Sequence, residues 1–92
     1  MEITFRKLTQ LFPKDTMWVD GCAEIIGYSP KENLHIVIDD GQCATDNGMY
    51  LVHKYKPSNS EEHFQKWNSG EYPWKYLGKD KIFEQWIDFN DK

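Results

Sequence analysis

Long hydrophobic runs are missing from this 92-residue chain. Its longest apolar stretches, such as Ile25–Ile26 and Ile36–Val37–Ile38, fall far short of the ~20 residues that cross a bilayer. No basic stretch followed by an apolar run follows Met1, so neither a signal peptide nor a membrane association is expected. Cysteine is scarce. Cys22 and Cys43 cannot make a disulfide framework, which points to a cytoplasmic protein with reduced thiols.

Chemical motifs are missing as well. There is no Cys-x2-Cys or His-x3-His spacing, no Gly-x-Ser-x-Gly elbow, no phosphate-binding glycine loop and no dinucleotide fingerprint. Neither a cofactor nor a metal is therefore expected. The thiols of Cys22 and Cys43 and the rings of His35, His53 and His63 are potential zinc ligands by type only. The segment from Asp39 to Gly48 carries three aspartates but departs from the EF-hand order.

Positive charge is the other shortage. The net charge is −4, which weighs against direct nucleic-acid binding. The distribution is uneven. From Asp15 to Asp46 there are seven acids and one base, Lys31, whereas the rest of the chain holds eight acids and ten bases. Such polarity speaks to partners, because opposite charge speeds encounter and sets partner choice.

Aromatic residues are plentiful, at 15% with Trp18, Trp67, Trp74 and Trp86 among them. In a chain this short a few large rings supply much of the buried area. The length fits one compact domain, 1–92. Residues 2–12 have both alternating and helical spacing, and a short helix ended by Pro13 is preferred. Met17 to Tyr28 is rich in β-favouring residues and reads as one strand, with Trp18, Cys22, Ile26 and Tyr28 on one face and Val19, Ala23 and Ile25 on the other. Ser29-Pro30 begins a turn, and Leu34–Asp39 forms a strand with Leu34, Ile36 and Ile38 inward. Asp40-Gly41 and Asn47-Gly48 are hairpin signals, with a short strand over 42–45 between them. Met49–Tyr55 follows as a strand with Met49, Leu51, His53 and Tyr55 on one face and Tyr50 and Val52 on the other.

After Pro57 the period changes. Ser58 and Glu61 fit a capping box for a helix carrying Phe64, Trp67 and His63, ended by Gly70. Asp80 would cap a last helix whose apolar stripe is Ile82, Phe83, Trp86, Ile87 and Phe89, with Glu84, Asp88 and Asp91 in water. The expected fold is α+β: a small antiparallel three- to four-stranded β-meander against one or two C-terminal helices, with the short N-terminal helix.

Three functions follow from these residues. The first is a non-catalytic inhibitor, of the immunity-protein or phage anti-defence type. It would dock an acidic β face, made by Asp20, Glu24, Glu32, Asp39, Asp40 and Asp46, on a basic partner such as a nuclease or nucleic-acid-binding protein. The second is a small-ligand or nucleotide binder, in the form of a homodimer with a pocket between subunits. Tyr72, Trp74 and Tyr76 would stack on a ring while Lys54, Lys56 or Arg6 meet phosphate. The third is a small enzyme using Cys43 or His53.

Overall fold

The computed structural model describes residues 3–20, 24–39, 48–70 and 78–90. The aspartate–glycine turn at 40–41, the short strand expected over 42–45, both cysteines and the aromatic segment 72–76 lie outside them.

Helix α1 spans Phe5–Leu11. Thr4 starts it by accepting a hydrogen bond from the Lys7 amide at 3.1 Å, which satisfies one of the open donors of the first turn. Leu8 and Phe12 turn inward, while Phe5 and Leu11 remain exposed.

Five antiparallel strands then run in sequence order: β1 Met17–Asp20, β2 Glu24–Ser29, β3 Leu34–Asp39, β4 Met49–Tyr55 and β5 Lys81–Asp88. Helix α2, Ser60–Asn68, lies between β4 and β5 in the chain. Each strand pairs with its chain neighbour, as expected of a meander. The two faces of β4 alternate as expected, but β3 is buried on both faces, His35 and Val37 as well as Ile36 and Ile38.

The register assigns the faces, because paired residues project to the same side. On the first face Ile25, Ile36, Ile38 and Val52 meet Leu8 and Phe12 of the N-terminal segment and Phe89 beyond β5. Ile36, Ile38 and Val52 are fully buried, each worth ~1.5–3 kcal/mol of hydrophobic stabilisation. The Phe12 ring meets Trp18 edge-on at 5.4 Å between centroids. On the second face Val19, Ile26 and Tyr28 pack against Trp67 of α2. The sheet thus has a helix on each side, and the middles of its strands β2 and β3 are buried on both faces.

Three expectations are corrected. Residues 81–88 form a strand, not a helix. The stripe of Ile82, Phe83, Trp86 and Ile87 suits a helix, yet every apolar residue there is β-branched or aromatic, and β4 offers an open edge to pair with. The stretch 17–28 is two strands, so Trp18 shares a face with Ile25 and Gly27, and Val19 with Ile26 and Tyr28. A chain reversal between Asp20 and Glu24 breaks the single alternation. Finally, α2 is capped one residue later than expected. Asn59 accepts from the Glu62 amide at 3.0 Å, a role that asparagine fills as well as serine. As expected, Gly70 ends α2, with a left-handed φ of 84° that suits glycine.

Candidate functional site

Carboxylates collect at one end of the sheet. Asp20 ends β1, Glu24 opens β2, Asp39 ends β3 and Asp88 ends β5. Glu24 and Asp39 stand directly opposite each other in the β2–β3 ladder, and Asp88 lies opposite Met49 at the start of β4. No lysine or arginine falls within three residues of any of the four along the chain. Opposed side chains in a ladder have Cβ atoms ~5 Å apart, and like charges there repel. Asp88 also accepts from the Asn90 amide at 2.8 Å and from its side-chain nitrogen at 2.7 Å, which fixes its orientation. Sequence reasoning missed Asp88 as a member of this group because it placed the residue on a helix. The β-favouring composition of 81–89 was the available signal.

The remaining acids of the N-terminal half divide. Asp40 and Asp46 lie outside the described residues, in the connection that leaves Asp39. Glu32 sits in the β2–β3 turn, at the far end of the strands, ~17 Å from Glu24 along a six-residue strand. Asp15 is occupied internally: its Oδ1 accepts from the Ser29 hydroxyl at 2.7 Å and its Oδ2 from the Lys31 amide at 2.9 Å. Those bonds, the Ser29 hydroxyl first, hold its carboxyl below the usual range. The Ser29 oxygen in turn accepts from the Glu32 amide at 3.2 Å, so this aspartate braces a turn. In the same turn Asn33 adopts a left-handed φ of 52° and bonds to the Tyr28 hydroxyl and to the Pro57 carbonyl.

Lysines mark the opposite end. Lys31 and Lys56 lie beside the β2–β3 turn, and Lys79 and Lys81 at the start of β5. Lys56 donates to the Glu32 carbonyl at 2.7 Å. Lys54 lies on the first face, its Nζ 4.5 Å from the Phe83 ring centroid and 5.5 Å from that of Phe12. Lys54 and Lys56 are therefore already engaged and point to different surroundings, and Arg6, the third phosphate candidate, is exposed on α1. Their proposed companions Tyr72, Trp74 and Tyr76 lie outside the described residues.

A second constellation lies under α2. His35 of β3 and His63 of α2 are 0% and 4% exposed, and their rings meet through Nδ1 and Nε2 at 3.0 Å. Tyr28 stands edge-on to His63 at 4.6 Å, and Trp67 and Tyr55 close around His35 at 5.9 Å each. Among the described residues His35 Nε2 has no hydrogen-bond partner. A buried acceptor left open is less unusual than a buried donor left open. The favoured tautomer therefore has His35 Nδ1–H donating to His63 Nε2. Burial, then the neighbouring His63, pushes His35 down to about 3. Burial, then Lys66, also lowers His63, while Asp80 opposes the shift. Both rings are neutral at pH 7. Their direct contact, made between β3 and α2, ties the sheet to the helix.

His53 is on the same face nearer β5. Its Nδ1 lies 3.1 Å from Glu84 Oε1, which also accepts from Lys81 Nζ at 2.6 Å. The lysine, chiefly through that bond, holds Glu84 below the usual carboxylate range. Among the described residues no three His, Cys, Asp or Glu side chains gather as a metal-ligand group, and no helix is long and apolar enough to cross a membrane.

No family model, no curated protein and no solved structure matches this chain.

Proposed function

We propose that this protein is a non-catalytic binding module that docks the acidic end of its sheet on a basic macromolecule. In this reading it acts in the cytoplasm, as an inhibitor of the immunity-protein or phage anti-defence kind. The single observation that carries the reading is the placement of Glu24 opposite Asp39, with Asp20 and Asp88 at the same end. An incoming lysine or arginine meets like-signed carboxylates there, and such charge complementarity favours a basic partner. The patch differs from the expected one: Asp88 joins it, and Glu32 has no part in it.

A basic nuclease or nucleic-acid-binding protein suits such a surface, because its own phosphate-binding groove is positive. The test compares proteins retained from the source cell by the immobilised native chain and by a variant carrying Asp20→Lys, Glu24→Lys and Asp88→Lys. A basic protein should bind the native chain and associate ~10–1,000-fold more slowly with the variant at low salt, the range that electrostatic steering spans. Equal retention and equal association rates would refute the proposal.

A further inference from the structure

The edge of the sheet at β5 has no strand on its outer side among the described residues. Edge strands are commonly blunted by shortness, proline, bulges or a cover. The opposite edge, β1, is only four residues long, whereas β5 has eight. No proline lies within β5, and its one irregularity faces Lys54 and Tyr55, leaving 83–88 in regular register. Ile82 and Trp86 are 57% and 46% exposed.

We propose that β5 pairs with β5 of a second copy of this chain, antiparallel about a two-fold axis at Gln85. Charge and facing select the register. In a continuous antiparallel sheet, paired residues lie on the same face, so the axis must pass through one residue of the regular stretch. Centring on Glu84 sets two like carboxylates opposite each other. Centring on Trp86 sets Glu84 opposite Asp88 twice. Centring on Phe83 or Ile87 avoids like charges but pairs fewer residues of the regular stretch. Centring on Gln85 opposes no like charges and pairs all of 83–87. It sets Phe83 opposite Ile87 of the second copy, twice, and Glu84 opposite Trp86, while Gln85 meets itself. Phe83 and Ile87 already pack against the first-face core, so the two cores become continuous across the seam. Asp88 of each copy comes beside Lys81 of the other, in keeping with the end-to-end polarity of the sheet. Some six strand residues bury less than the ~800 Å² per partner of a standard interface, so the dimer is weak and depends on concentration.

The test is oxidative cross-linking of Gln85→Cys beside Glu84→Cys, with the native chain as background. Facing residues in this ladder have Cα atoms ~4.5–5.5 Å apart, within disulfide range. Gln85→Cys should cross-link to a dimer and Glu84→Cys should not. Sedimentation of the native protein should show a mass rising toward twice the monomer's, and Gln85→Lys should raise the dimer Kd at least ~10-fold. The proposal is overturned by a native chain that stays monomeric to ~1 mM, by Glu84→Cys cross-linking as readily as Gln85→Cys, or by a folded Gln85→Lys variant that dimerises unchanged.

Discussion

Lowering the pH from 7 to 5 should loosen this protein through the buried histidines. His35 stays neutral in the folded chain because burial, reinforced by His63, pushes it from 6.5 to about 3. The unfolded chain takes up that proton near the ordinary histidine value of ~6.5. Below that pH the unfolded state binds more protons than the folded one, so stability falls as pH falls. The stabilising contribution is complete above ~6.5 and is lost progressively toward pH 3, at ~1.4 kcal/mol per pH unit on the slope. Integrated between pH 7 and pH 5, one such group removes about 2 kcal/mol. His63 is shifted in the same direction and adds to the loss. The carboxyls of Asp15 and Glu84 are held low, so their contributions disappear mainly below about pH 5, outside this window. Urea unfolding followed by tryptophan fluorescence at pH 7, 6 and 5 measures the slope. Proton NMR of the histidine rings measures which group titrates. A free energy flat across this range, or a His35 ring that protonates in the folded protein near its ordinary value, would refute the reasoning.

Gly27 pairs with Trp18, and a Cβ there would come within 2.6 Å of the indole and 2.8 Å of Thr16; Gly27→Ala should cost ~1–3 kcal/mol by overpacking, read as a lower urea midpoint with altered Trp18 emission. Ser29 is fully buried and bridges Asp15 to the Glu32 amide; Ser29→Ala should cost ~1–3 kcal/mol, and thermal unfolding would show it. Asn59→Ala removes the α2 cap and should lower stability by ~1 kcal/mol, with faster amide exchange confined to the first turn of that helix.

Much of the meander was legible because Leu34–Asp39 and Met49–Tyr55 are rich in β-favouring residues and turn residues flank them. The last strand was not. Ile82, Phe83, Trp86 and Ile87 satisfy helical spacing and strand propensity alike, and only the open edge of β4 decides between them. The hairpin in 17–28 did carry a turn pair, Asp20-Gly21, of the same kind as Asp40-Gly41, but apolar residues running through both strands favoured one continuous strand. The candidate site was half legible. Acidic content is visible in the sequence, but its grouping follows from which strand ends meet. That topology brings Asp20, Glu24, Asp39 and Asp88 to one end of the sheet, Asp20 on the first face and the other three on the second, sends Glu32 to the other end and assigns Asp15 to a turn. The contact of His35 with His63, 28 residues apart, depends on how α2 lies across the sheet, which no local spacing reports.

The most direct measurement is a footprint on the isotope-labelled chain, using a basic protein recovered with it from the source cell. Backbone amide signals of Asp20, Glu24, Asp39 and Asp88 should move on binding, while those of Lys31, Glu32 and Lys56 stay in place. Movement centred on the lysine-bearing end, with the four carboxylate strand ends unaffected, would contradict the account.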